Sequence, residues 1–363
     1  MSGPISSQTP EALRTWLCDQ GEREYRTNQI LRWIHQKHAA NYSDMTDLTE
    51  LLRHNLSETF EFSTIELARK QGSGDTTQKF LWKLRDGQLV ESVLIPASPS
   101  LYGDQSDRHT LCVSTQVGCA YGCKFCASGL DGFKRDLEPS EIIDQVLATE
   151  RWHKGQGGVG ERLINNLVIM GMGEPLANYD KLMTALEILN AEWGANIGAR
   201  KITISTSGLA PEIRRLARQP RQYRLAISLH GATDKVRNRI MPLNKKYPLA
   251  ELTAAAEEYQ RAKNGKITLE YILIPQVNDA LDQIKPLADL AKRLRAKVNL
   301  IPYNHVDSLA WSRPDEATQN AFLSALNAHG TMVTLRREKG HDIDAACGQL
   351  RLRTEKELAG IAD

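Results

Sequence analysis

Apolar positions early in the chain recur at helical spacing. Leu13, Trp16 and Leu17, and then Ile30, Leu31 and Ile34, fall on single helix faces, so the N-terminal stretch is expected to be helical. The pattern then becomes strand-like: Phe80-Leu81-Trp82-Lys83-Leu84 and Leu89-Val90-Glu91-Ser92-Val93-Leu94-Ile95 flank an Asp86-Gly87 turn, the composition of a β-hairpin. The polar stretch from Ala97 to His109 reads as a loop, and a domain boundary is expected within it. From Thr110 onward, short β-branched runs ending in Gly, Ser, Asn or Pro alternate with longer helical patterns, the rhythm of βα units. The expected strands are Leu111 to Ser114, Leu167 to Met170, Ile202 to Ser205, Leu225 to Leu229, Ile267 to Leu273, Val298 to Ile301 and Met332 to Leu335. Parallel strands with helical crossovers close into full or partial barrels that bind ligands at the carboxyl ends of the strands. The expected fold is therefore α/β: an N-terminal helical region with a β-hairpin over residues 1–97, a partial (β/α) barrel over 98–350, and a tail over 351–363.

Composition narrows the class of protein. The 363 residues are 41% hydrophobic and 25% charged, ordinary globular values, and no apolar run approaches a membrane span, so no membrane partner is expected. The start, Met1-Ser2-Gly3-Pro4-Ile5-Ser6, has neither the basic nor the apolar segment of a secretory signal, and a cytoplasmic location is the expectation. A net charge of +2 says little about partners. Local charge says more: Glu212 to Arg224 holds five Arg and one Glu, and Lys235 to Lys246 holds five basic residues and no acid. Such runs are usually solvated faces. Beside strand ends they become candidate phosphate contacts.

The cysteines carry the clearest chemistry. Four of the six (Cys112, Cys119, Cys123, Cys126) lie within fifteen residues, with Cys18 and Cys347 far away, a distribution suited to a metal site and unlike a disulfide framework. Cys119, Cys123 and Cys126 are spaced CxxxCxxC directly after the first barrel strand. A cubane iron–sulfur cluster held by only three thiolates leaves one iron open to an exogenous ligand. The alternative is a structural zinc site with Cys112 as the fourth thiolate, although Cys112 lies inside a strand and outside the usual paired spacing.

At the strand ends stand Gly171-Met172-Gly173-Glu174-Pro175, Ser205-Thr206-Ser207-Gly208, Ser228-Leu229-His230 and Asn304. Singly each reads as a tight turn or a strand cap. Together with the cysteine triad and Phe125 before its last member, they resemble the radical S-adenosylmethionine (SAM) superfamily. That resemblance implies a [4Fe–4S] cluster on Cys119, Cys123 and Cys126, with SAM chelating the open iron and cleaved by one electron to a 5′-deoxyadenosyl radical. It assigns SAM contacts to Gly173, Glu174, Ser205, Ser228, Leu229, His230 and Asn304.

A longer similarity, to the RlmN/Cfr family of RNA adenine methyltransferases, covers nearly the whole chain. It is carried by Tyr25 to Ile34, Cys112 to Cys119, Gly132-Phe133-Lys134-Arg135, Ser228 to Ala232 and, most diagnostically, Asp342-Ile343-Asp344-Ala345-Ala346-Cys347-Gly348-Gln349-Leu350. Adenine C2 and C8 are poor nucleophiles, so a direct displacement of the SAM methyl group by the base would fail. The resemblance implies a relay in which Cys347 takes a methyl from one SAM, a second SAM per turnover activates that methyl, and the carbon joins the base. Cys112 then resolves the RNA–protein adduct, leaving a transient disulfide with Cys347, and Glu91 matches the family's proton acceptor, although a Glu alternating with apolar residues is also what the wet face of a strand presents. The implied partners are 23S rRNA, tRNA and an electron donor such as flavodoxin or ferredoxin. C2 is favoured over C8, which uses the same cysteines. Competing readings are a non-catalytic zinc or iron–sulfur RNA-binding protein and a glycyl-radical activase, which has no use for Cys112 and Cys347. Cys18 matches no family cysteine and reads as structural.

Overall fold

The computed structural model describes residues 3–73, 76–96, 108–158, 160, 162–306, 309–336 and 349–358. Three short helices come first: α1 (Pro10–Asp19), α2 (Arg26–His35) and α3 (Glu50–Thr59). Thr9 and Thr49 cap α1 and α3 by accepting from Ala12 N and Leu52 N, each at 3.2 Å. Leu13, Leu17, Ile30, Leu31, Ile34, Leu52 and Leu56 are buried, which is the helical periodicity read from the sequence, extended by one helix that the reading had not singled out.

A ten-stranded sheet follows. Strands β1 (Ile65–Gly72), β2 (Gln78–Leu84) and β3 (Leu89–Pro96) form an antiparallel meander. β3 pairs antiparallel with β4 (His109–Cys112), the first barrel strand, aligning Val93 with Cys112. After an excursion through the two-stranded β5 (Gln116–Gly118) and β6 (Phe133–Asp136), the sheet continues in parallel through β7 (Asn166–Ile169), β8 (Ile202–Thr206), β9 (Arg224–Ser228), β10 (Ile267–Leu273), β11 (Lys297–Pro302) and β12 (Val333–Leu335). Its order, β4-β7-β8-β9-β10-β11-β12, follows the chain, and among the described residues no pairing joins β12 back to β4. This is the partial (β/α) barrel expected. The hairpin is a full part of its sheet, a step the sequence did not reveal because a polar run of sequence separates β3 from β4 and hides their pairing.

Helices α4 (Pro139–Gly155), α5 (Tyr179–Asn190), α6 (Ala210–Ala217), α7 (Asp234–Ile240), α8 (Leu249–Lys263), α9 (Ile284–Arg293) and α10 (Glu316–Ala328) make the crossovers, and α11 (Gln349–Leu358) closes the described chain. α4 is buried on nearly every face, so its polar residues must be paired internally. Asp144 accepts from Thr64 N (2.7 Å) and Thr64 Oγ1 (2.6 Å). Gln145 Oε1 accepts from Ser92 Oγ (2.8 Å) and Ser114 N (2.9 Å), joining β3 to the segment after β4. Glu150 accepts from Leu163 N and Ile164 N. These bonds lock the N-terminal part, the meander and the barrel together at the strand that leads into the cysteines.

Candidate active site

Between β5 and β6 the chain makes one loop, and it carries Cys119, Cys123 and Cys126. Its base is pinched where Cys119 N donates to Gly132 O (3.1 Å), and its far side is tied to the end of α7 by Lys124 N donating to Ile240 O (2.9 Å). Burial pushes the Cys119 thiol up to about 11 and the Cys123 thiol higher still, and the neighbouring thiols push each further in the same direction. Among the described residues no three Cys, His, Asp or Glu side chains close on one point as ligands of a single ion do.

Beside the loop, at the carboxyl ends of the strands, lies a cavity of about 300 Å³. Cys126, Ser205, Ser228, His230 and Asn304 line it, and so does the buried Cys112 from β4, facing in with Val93 and Ile95 of β3. Ser205 Oγ and Ser228 Oγ stand 3.5 Å apart across neighbouring strands. His230 is held with positive φ (55°), and its Nδ1 accepts from Ile272 N (3.0 Å), which assigns the proton of the neutral ring to Nε2. Burial, assisted by the charge of Arg237, depresses its pKa to about 3, so the ring presents a neutral N–H donor. Phe125 packs edge-on against it at 4.7 Å.

Gly173, Glu174 and Leu229 are not among the cavity-lining side chains. They brace the wall. Glu174 accepts from Leu176 N (3.1 Å) and Ser207 N (2.7 Å), crosslinking the turns after β7 and β8, and burial raises its pKa against those bonds. Gly173 has φ +99°, and a Cβ there would lie 2.5 Å from Gln116 Cβ, so only glycine lets this turn sit on Gln116, whose Oε1 accepts from Glu174 N (2.8 Å). Leu229 O accepts from Arg237 Nε (3.0 Å).

Several participants were not singled out from the sequence. Arg237 is fully buried and also donates to Asn244 Oδ1 (2.8 Å) and Ser207 O, tying the β8 and β9 ends together. Glu270 lines the cavity from β10 and accepts from Asn299 Nδ2 (2.7 Å). The signal available for Glu270 was a carboxylate interrupting an otherwise apolar buried strand; Arg237 lies within a run read as basic surface.

Three expectations change. The basic runs are engaged within the chain only in part: Arg214 pairs with Glu251 and Glu258, Arg215 with Asp180 and Glu212, and Arg237 is internal, whereas Arg218, Arg221, Arg224, Lys235, Arg239, Lys245 and Lys246 are exposed. Glu91 is not on a wet strand face. α11 covers that face, and the carboxylate is 3% exposed, 3.0 Å from the fully buried Lys79 Nζ, with Oε1 accepting from Arg351 N (2.7 Å). Cys18 is exposed on α1, so it does not serve the core. Cys347 lies outside the described residues, and Cys112 is buried at the end of β4.

A partial parallel barrel with a three-cysteine loop after its first strand and polar strand ends around one cavity defines a radical SAM enzyme, and the radical SAM superfamily model matches residues 113–291. The model of the ribosomal RNA large subunit methyltransferase N-terminal domain matches residues 5–62. A probable dual-specificity RNA methyltransferase RlmN of Akkermansia muciniphila is 52% identical, covering 98% of this chain and 97% of its own. The dual-specificity RNA methyltransferase RlmN of Anaeromyxobacter dehalogenans is 45% identical over 95% of this chain and 91% of its own. A crystal structure of a radical SAM methyltransferase from Sphaerobacter thermophilus is 41% identical, covers 95% of this chain and 98% of that one, and superposes with a TM-score of 0.88. The chain belongs to the RlmN family of radical SAM RNA methyltransferases.

The cofactors of this family are a [4Fe–4S] cluster and SAM. The residues present fit both. Three half-buried thiols stand on one loop, burial disfavours the charged forms of Cys119 and Cys123 so that a cationic partner is what holds these as thiolates, and sulfur donors suit iron–sulfur clusters. The adjoining cavity offers hydroxyl, imidazole and amide groups to a polar ligand.

Proposed function

We propose that the chain methylates a ring carbon of adenine, C2, in 23S rRNA and in tRNA. The cluster on Cys119, Cys123 and Cys126, with SAM, supplies one-electron chemistry when bound. The chain's own residues do the rest. Ser205, Ser228, His230 and Asn304 offer polar contacts to SAM in the cavity beside Cys126, while Gly173, Glu174 and Leu229 shape the wall against which it lies. Cys347 accepts a methyl group on its sulfur and carries the carbon to the base. Cys112 attacks the Cys347 sulfur to free the methylated RNA, forming a disulfide that two electrons must reduce before the next turnover. Glu91 stands at the family's proton-acceptor position.

One observation carries this reading: Cys112, a buried thiol outside the cysteine loop, opens into the same cavity as Cys126 and the polar strand ends. A thiol that served only packing would not need to line the cavity. Its own interior setting also disfavours a zinc site, for which it would have to join the loop thiols. The relatives named as dual-specificity RNA methyltransferases support two RNA classes as substrates. No helix among the described residues is long and apolar enough to cross a membrane; a cytoplasmic location and a flavodoxin or ferredoxin as electron donor are part of the proposal as the family resemblance implies them.

The test is Cys112→Ala expressed in cells. The variant is expected to keep its cluster and accumulate RNA covalently attached to Cys347, seen as nuclease-sensitive slow-migrating protein and located by peptide mass spectrometry. Soluble, cluster-loaded variant without an adduct refutes the relay.

A further inference from the structure

Among the described residues that line the cavity, Glu270 is the one carboxylate, and the binding scheme above does not use it. Neighbouring strands set it in a row of polar side chains. β8 contributes Ser205, β9 Ser228, β10 Glu270 and β11 Asn299. Ser228 is aligned with Glu270 and Glu270 with Asn299 in the parallel register, and Ser205 Oγ stands 3.5 Å from Ser228 Oγ. Glu270 is 7% exposed. Its Oε2 accepts from Asn299 Nδ2 at 2.7 Å, and no described residue donates to Oε1. Its backbone carbonyl accepts from Leu229 N (3.0 Å) and His230 N (3.2 Å), which fixes the residue to the segment that presents His230.

A glutamine in this place would accept from Asn299 equally well and would bring no ionisable group into the interior. A buried carboxylate keeps its charge only where something offsets the lost hydration. Burial raises the pKa of Glu270, while the Asn299 hydrogen bond and the positive charges of Arg336 and Lys297 act the other way. Those two cations are exposed, Arg336 beyond the end of β12 and Lys297 at the start of β11, and neither bonds to the carboxylate. The remaining ionisable groups on the cavity wall are Cys112, Cys126, Tyr303 and the neutral His230, none of them a cation. A cation that meets Oε1 therefore has to arrive with the ligand.

SAM carries one, its sulfonium. Once SAM has given up its methyl group, the sulfonium is the neutral thioether of S-adenosylhomocysteine, and every other group is the same in the two molecules. Contacts to the ribose, the adenine or the amino-acid end thus cannot tell them apart. We propose that Glu270 is a specificity-determining residue, whose carboxylate makes the cavity select the cationic cofactor over its neutral demethylated product. The proposal rests on reading the cavity as the SAM site. A cavity of about 300 Å³ is roughly 8 Å across, and at an effective dielectric constant of about 20 two unit charges at that separation correspond to a preference on the order of 30-fold.

The experiment measures dissociation constants by anaerobic calorimetry on full-length, cluster-loaded protein without a reductant. The probes are S-adenosylhomocysteine and sinefungin, an analogue that carries an ammonium near the sulfonium position and has no methyl to transfer. Wild type is expected to bind sinefungin the more tightly. In Glu270→Gln the ratio of the two constants should shrink on the order of 30-fold, through weaker sinefungin binding, with the affinity for S-adenosylhomocysteine kept. Iron content and thermal melting are the controls, and if Glu270→Gln does not fold, the smaller neutral variant Glu270→Ala carries the same comparison. Equal weakening of both ligands would make Glu270 a charge-independent contact, to a ribose hydroxyl for instance, and overturns the proposal. So does an unchanged ratio, which leaves the carboxylate only its bond to Asn299. Wild type that binds neither probe refutes the reading of the cavity as the SAM site instead.

Discussion

Replacing Gly118 by Ala tests whether the cysteine loop needs the conformation described. Gly118 ends β5 with φ +73°, where the β5–β6 register shifts, and a Cβ added there would lie 1.9 Å from Gly132 O and 3.0 Å from Gly132 C. A carbon–oxygen contact sits comfortably at about 3.3 Å, so the Gly132 carbonyl must retreat by roughly 1.4 Å. That carbonyl accepts from Cys119 N at 3.1 Å, and the bond cannot survive such a retreat. The lost hydrogen bond costs about 1 kcal/mol, and an L-residue in the left-handed region about 1–2 kcal/mol more. The sum, about 2–3 kcal/mol, corresponds to a weakening of the clustered loop by roughly 30- to 150-fold, at a factor of ten per 1.4 kcal/mol. Gly122, in the same loop with φ +59° and nothing within 4 Å of its Cβ position, is the control, since Ala there bears the backbone term alone. Anaerobic reconstitution with iron and sulfide quantified per chain, alongside thermal melting, compares the two variants. Gly118→Ala should hold clearly less cluster than Gly122→Ala and melt lower. Equal cluster content and equal melting would refute the pinch at Gly132.

Acid should unfold the protein earlier than its carboxylates alone require. Burial holds His35 and His230 near 3 and His38 near 4, whereas unfolded imidazoles titrate at 6.5. Below 6.5 the unfolded chain therefore binds more protons than the native one. Stability is flat above that value and falls as pH drops toward 4, by up to about 1.4 kcal/mol per pH unit for each imidazole. Urea midpoints measured at about pH 7 and pH 5 should differ accordingly, and equal midpoints contradict the burial of these rings. Arg237→Met leaves Ser207 O and Asn244 Oδ1 without their donor, while Leu229 O keeps the Gly231 N–H at 2.7 Å. Unsatisfied buried acceptors cost about 1–3 kcal/mol apiece, partly offset by no longer burying a cation, so calorimetry should record a lower melting temperature and an unchanged one would contradict the tie.

Periodicity carried the fold a long way. Every expected barrel strand is present within about two residues, because short buried β-branched runs between turn residues have few other uses. The meander's attachment was not legible, since a long polar run of sequence separates β3 from β4 and the register is set by tertiary packing, here through Gln145. The cysteine triad was legible as a unit because its CxxxCxxC spacing is fixed, and all three fall on the one loop between β5 and β6. The wet-face alternative for Glu91 fails because a strand's local pattern does not say whether a distant helix covers it. The basic run containing Arg237 misled for the converse reason: a guanidinium can be buried when carbonyls from two strand ends converge on it. Glu270 was legible only as an anomaly, a charge in an apolar strand, and its place on the cavity needed the neighbouring strands.

The central claim, methylation of adenine at C2 in two kinds of RNA, is tested most directly by the modified nucleosides themselves. Mass spectrometry of adenosines from 23S rRNA and tRNA would be run on a strain lacking its own enzyme of this kind, with and without this protein. The account predicts 2-methyladenosine in both RNA fractions only when the protein is present, and none when Cys347→Ala replaces it. Appearance of 8-methyladenosine instead, or RNA that gains no methylated adenosine at all, would contradict it.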